Sequence, residues 1–158
     1  MRWLVALLFV LPTVAAHDEG VGFDPAAEAG LFPDPADVQA ALLAAEDHPW
    51  ITLELTGHSK DGLPLRMAVI TDPDSDVPFE ERVVTFIMSQ QHGNEPAGTP
   101  AALQILDEVT SGTGVSQYLD NQILLLLPQS NPDGALDNRR SNEDGTDINC
   151  DQIGRAHV

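Results

Sequence analysis

Cationic residues are scarce in this 158-residue chain: 7 Lys+Arg stand against 25 Asp+Glu, the formal net charge is -18, and Lys60 is the only lysine. So negative a chain repels phosphate backbones and anionic lipid, which argues against nucleic acid and the membrane surface as partners. Cysteine is nearly absent too. A single one, Cys150, excludes an intramolecular disulfide framework and a thiolate-rich zinc knuckle. Long apolar runs are missing beyond the first residues, so no later stretch is long enough to span a bilayer. The length limits the chain to one domain at most. What is present is a 42% hydrophobic share, too high for a disordered acidic tail and suited to a buried core.

Arg2, the apolar run from Trp3 to Leu11 and the small residues Ala15 and Ala16 have the layout of a secretory signal peptide, expected over residues 1–16. Pro12 and the polar residues from His17 onward stop the run short of a membrane anchor. The mature protein is therefore expected to be secreted or periplasmic, soluble and monomeric. Residues 17–33, rich in Ala, Gly, Pro and acids, read as a flexible acidic leader. A thiol is unusual in an oxidising compartment, which makes Cys150 a residue to explain.

Asp34 and Pro35 predict an N-cap and first turn for a helix over about 36–47, with Val38, Ala41, Leu42 and Ala45 on one face. Alternation predicts a strand at 51–56 and, after turn-forming residues 57–62, a return strand at 63–70. Residues 83–88 and 123–127 are continuous apolar runs suited to strands buried on both faces. Between them, Thr99 and Pro100 read as an N-cap and first turn. Ala102, Ile105, Leu106 and Val109 then form a stripe that ends at Gly112 and Gly114. Strand, helix, strand in this pattern predicts a βαβ unit with a parallel sheet.

Both apolar runs empty into polar loops at their carboxyl ends, where open α/β sheets bind ligands. The first loop carries His92 and Glu95, a His-x-x-Glu pair. Imidazole and carboxylate suit zinc, and a catalytic zinc takes three protein ligands and keeps one position for water. A similar spacing, His58 to Asp61, falls in a Gly-bounded turn and is better explained as an exposed polar turn. The second loop carries Asn131-Pro132-Asp133-Gly134, a type I turn by composition, and then Arg139 and Arg140. An arginine fork can hold a carboxylate or an oxyanion; the competing explanation is an ion pair with Asp137, Glu143 or Asp144.

Taken together, four motifs in order resemble the zinc carboxypeptidase family, the carboxypeptidase A-like metallopeptidases, over residues 34–151. They are Gly57-His58-Ser59-Lys60-Asp61-Gly62, Gln91-His92-Gly93-Asn94-Glu95-Pro96, Asn131-Pro132-Asp133-Gly134, and Arg140-Ser141-Asn142 followed by Gly145 to Asp151. The resemblance implies a three-layer α/β/α fold with a mixed, largely parallel sheet, of which this chain holds the N-terminal half. It implies Zn2+ on His92 and Glu95, Arg140 on the scissile carbonyl, and Asn149 with Arg140 binding a peptide or protein substrate. The family places an arginine after that asparagine, whereas Cys150 stands here, and a thiol makes no bidentate bond to a carboxylate.

The expected activity is peptide hydrolysis by a zinc-dependent metallocarboxypeptidase. The family's third zinc ligand, capping tyrosine and general-base glutamate have no counterpart in this sequence, so no turnover is expected of the 158 residues themselves. Two alternatives remain: an amidohydrolase of the aspartoacylase/succinylglutamate desuccinylase type, and a degenerate, non-catalytic peptide-binding domain. Ile153 to Val158 departs from family sequence and resembles an in-frame translation of a sequencing adapter. Residues 152–158 are therefore expected to be a non-native tail, and Cys150, beside the break, a misread arginine.

Overall fold

The structure, a computed structural model, describes residues 32–150. The signal peptide expected at 1–16, most of the leader and the tail at 152–158 lie outside the described residues.

Helix α1 (Pro35–Ala45) begins as its sequence predicts. The Asp34 carboxylate accepts from the Asp37 amide while the Asp37 side chain accepts from the Asp34 amide, a reciprocal capping box with proline in the first turn. The hairpin strands are β1 (Ile51–His58) and β2 (Pro64–Ile70), and β3 (Val83–Met88) follows after a single 3-10 turn at Phe79–Glu81. Helix α2 (Gly98–Ser111) ends on Gly112 at φ 69°, in the left-handed region that glycine occupies without strain. A 3-10 segment, Gly114–Asn121, leads into β4 (Gln122–Leu127), and a short helix α3 (Pro132–Leu136) follows. Among the described residues no helix is long and apolar enough to cross a membrane.

The sheet order is β1-β2-β4-β3. β3 and β4 run parallel, in register from Val83 opposite Gln122 to Met88 opposite Leu127. This is the predicted βαβ unit, closed by α2. The other two pairings, β1 with β2 and β2 with β4, are antiparallel. Across the described residues the sheet is thus mixed and not largely parallel, because the hairpin adds to the β4 side. Register carries one row of side chains through Leu53, Ala68 and Leu126 and another through Ile51, Ile70 and Leu124. These rows face α1 and α2, and Val38, Leu42, Ala102, Leu106 and Val109 complete one core. Leu42 and Leu126 are fully buried, each contributing about 1.5–3 kcal/mol by leaving water.

One expectation fails. The apolar run 83–88 was predicted to be buried on both faces, yet Val83, Val84 and Phe86 are each more than half exposed. β3 is the edge of the four-stranded sheet, so among the described residues nothing covers its outer side.

Candidate metal and arginine site

Because β3 and β4 are parallel, their carboxyl ends lie on one rim. The ladder continues past the strands: the Ser89 amide donates to Leu127 O at 3.0 Å and the Ser130 amide to Ser89 O at 3.0 Å. The loops that follow, 89–97 and 128–131, therefore leave the sheet side by side. They also touch closely. A Cβ on Gly93 would lie 2.0 Å from the Gly134 carbonyl carbon, so only glycine permits this approach.

Asn131 does not form the turn predicted for it but caps α3, its side-chain oxygen accepting from the Gly134 amide at 3.0 Å. Asp133, 3% exposed, accepts from Ser59 Oγ at 2.6 Å. Lys60 pairs with Asp144 at 3.2 Å. The 57–62 turn is thus more than an exposed polar turn, since it docks on α3 and on the 139–147 loop. Thr99 is not the helix cap predicted for it. It is fully buried, and its hydroxyl lies 2.6 Å from Gln90 Oε1 and 3.0 Å from Pro128 O.

The rim gathers His92, Glu95, Arg140 and Asp147. His92 is buried, with Nδ1 3.0 Å from Glu95 Oε2 and Nε2 3.1 Å from Asp147 Oδ1. Arg140 reaches across to both carboxylates, Nε to Asp147 Oδ2 at 2.9 Å and one terminal nitrogen to Glu95 Oε1 at 3.3 Å. The neighbouring arginine takes the other reading: Arg139 pairs with Asp137 and Glu143. Asn149 lines the same open cleft, of about 750 Å3, as His92 and Glu95. Its amide and that of Cys150 both donate to Asp147 Oδ1, at 3.1 and 3.2 Å. Cys150 is a free, exposed thiol.

Asp147 is the residue that sequence reasoning passed over. The Arg140 guanidinium first, and then the Cys150 amide, hold its carboxyl well below the usual carboxylate range. An ionised carboxylate only accepts, so His92 Nε2 donates to it, and with the second ring proton absent Nδ1 would carry the lone pair. Nδ1 itself lies 3.0 Å from a Glu95 oxygen. Two acceptors at this distance repel unless they share a cation, a proton or a metal ion. The imidazole and carboxylate donor set suits zinc. It supplies two positions: among the described residues no group of three His, Cys, Asp or Glu is arranged to hold a metal. The available signal for Asp147 was its place in the quoted 145–151 stretch, two residues before Asn149.

A histidine, two carboxylates and an arginine are thus gathered beyond parallel strand ends, where open α/β sheets place their ligand crevices. The family follows from residues 39–151, which match the model for zinc carboxypeptidase. The chain belongs to the zinc carboxypeptidase family. A comparison with curated proteins returns no match.

Solved structures share the fold. A Burkholderia mallei protein assigned to the carboxypeptidases is 20% identical with a TM-score of 0.66, over 75% of this chain and 31% of its own. A metallo-carboxypeptidase from Burkholderia cenocepacia is 20% identical with a TM-score of 0.65, over 75% of this chain and 32% of its own. Carboxypeptidase A from Helicoverpa armigera is 22% identical with a TM-score of 0.63, over 70% and 29%. The chain thus spans about a third of the length of the solved relatives it matches.

Proposed function

We propose that this chain carries the zinc-binding loop and the carbonyl-polarising arginine of a metallocarboxypeptidase acting on peptides or proteins. The observation that carries the reading is the His92–Glu95–Arg140–Asp147 cluster on one rim. His92 Nδ1 and the Glu95 carboxylate would hold Zn2+, and Asp147 fixes the imidazole tautomer that presents Nδ1. Bound there, zinc supplies a Lewis acid that lowers the pKa of water into the neutral range. Arg140 turns to a substrate carbonyl and donates to the oxygen as charge grows on it. Asn149, in the same cleft, donates to the terminal carboxylate of the substrate. Cys150 adds no charge-assisted fork to that carboxylate, so its recognition rests more on Asn149 here than in a site with arginine. In the whole domain a second helical layer, completing the α/β/α arrangement, covers the sheet face that bears Val84 and Phe86. Export by residues 1–16 would place the reaction outside the cytoplasm.

Metal content tests the first part of the reading. In a version extended to the length of the solved relatives, Zn2+ bound per chain is expected to be lost with His92→Ala and with Glu95→Ala, and absence of Zn2+ from that version before any substitution favours a binding module instead. Hydrolysis is tested on the same version, with peptides differing in the C-terminal residue against N-acyl amino acids. Release only from the acyl amino acids would refute the peptidase reading. Arg140→Ala in that protein is expected to lower kcat by about 10²–10³-fold, the effect of removing one oxyanion donor.

A further inference from the structure

His92 is gripped through its backbone as well as its ring. The carbonyl before it, Gln91 O, accepts from Asn131 Nδ2 at 3.1 Å. The carbonyl after it, Gly93 O, accepts from Gln90 Nε2 at 2.8 Å. Both donors are buried side-chain amides, Gln90 8% and Asn131 2% exposed. Each is tied to another element. Gln90 Oε1 accepts from Thr99 Oγ1 at the start of α2 and from Gln129 Nε2 after β4, at 2.6 and 2.9 Å. Asn131 caps α3 and also reaches Arg140 O at 3.3 Å.

Backbone conformation at Gln90 adds a separate observation. Its φ is 50°, in the left-handed region that a glutamine enters at a cost of order 1–3 kcal/mol. Such strain persists only where the surroundings over-determine it, and it concentrates at functional sites. Here the strained residue precedes the candidate ligand by two positions, and its side chain closes back on the loop it begins. Plain satisfaction of buried polar groups would not require the strain, nor place one amide on each side of the same histidine.

We propose that Gln90 and Asn131 are positioning residues, an amide clamp that fixes the backbone at Gln91 and at Gly93, one residue to either side of His92, and so aims its Nδ1 at the cation shared with Glu95. Through Arg140 O the same clamp sets the arginine against that cation. The proposal rests on the reading that His92 and Glu95 hold a cation, and the test separates the two.

Three variants of the full chain probe it. Gln90→Glu keeps the acceptor for Thr99 and Gln129 but loses the donor to Gly93 O. Asn131→Asp keeps the cap and loses the donor to Gln91 O and Arg140 O. Gln90→Asn suits positive φ better but is one methylene too short to reach Gly93 O. Hydrogen exchange is read at the Glu95 amide, which donates to His92 O, and at Leu124 and Leu126 in the central strand. The clamp predicts Glu95 exchange faster by about tenfold in every variant relative to those strand amides, the size of one lost hydrogen bond.

Faster exchange everywhere in proportion, or none at Glu95, would overturn the clamp. So would a Gln90→Asn chain whose loop is as protected as the original, since relief of strain alone predicts that result. Zn2+ dissociation constants of the version extended to the length of the solved relatives provide the second readout, expected to rise about tenfold when the same substitutions are made in it. Zn2+ binding that His92→Ala abolishes but the clamp variants leave unchanged would also refute the proposal. Failure of the version extended to the length of the solved relatives to bind Zn2+ would instead refute the proposed function, and the exchange contrast would still decide the clamp. A variant that fails to fold leaves the other two, which strike the clamp at different atoms.

Discussion

The two loops that build the rim are held by different physics. The 89–97 loop is fastened from beneath by buried amides and a buried threonine. The 139–147 loop is held mainly by ion pairs nearer the surface, Lys60 to Asp144 and Arg140 to Glu95 and Asp147, with the half-buried Arg139 paired to Asp137 and Glu143. Buried hydrogen bonds are costly to lose because the abandoned partner stays dry, whereas exposed ion pairs contribute little and are screened by salt. The loop with the candidate ligands is thus the more firmly held of the two.

Breaking the close approach between Gly93 and Gly134 has the largest expected effect. Gly93→Ala places a methyl inside the Gly134 peptide and is expected to cost about 3 kcal/mol or to abolish cooperative unfolding in urea. A loss below about 0.5 kcal/mol, the ordinary surface value, would mean the loops do not abut. Thr99→Val comes next. It removes the one hydroxyl proton that lies between Gln90 Oε1 and Pro128 O, for about 1–3 kcal/mol in thermal unfolding.

On the other loop, Lys60→Ala is expected to cost under about 1 kcal/mol, since both partners of its ion pair are more than half exposed. A larger loss would show the 139–147 loop to be firmly held as well. Smallest is the effect of salt. Raising NaCl from about 0.1 to 1 M, which shortens the screening length from about 10 to 3 Å, should speed exchange at the Thr146 amide and leave the Glu95 amide unchanged. Equal responses at the two amides would erase the distinction between the loops.

Much of this architecture was legible in the sequence. Asp34 and Pro35 announced α1, and the apolar runs located β3 and β4 within a residue of their observed ends, because capping and hydrophobic continuity are local properties. The His92–Glu95 pair and Arg140 were legible as motif residues. Their mutual placement followed from two strand ends sharing a rim.

What was not legible depends on contacts distant in the chain. Asp147 meets His92 across 55 residues and Ser59 meets Asp133 across 74, with no periodicity to announce either pairing. Thr99 resembled a cap because threonine before proline is a good cap, yet its hydroxyl serves the loop beneath it. The exposure of β3 was misread for a related reason. An apolar run records a strand's need for cover and says nothing of which segment provides it.

That edge also governs how the chain would behave in a tube. Val83 to Met88 carries no charge, no proline and no lysine to discourage a neighbour, and its outer hydrogen-bonding groups face outward in a molecule of formal charge -18. Like-charge repulsion opposes two copies zipping edge to edge, much as it opposes flocculation of a colloid. Salt, the usual remedy for a sticky preparation, would screen that repulsion, so edge-to-edge association is expected to rise with ionic strength.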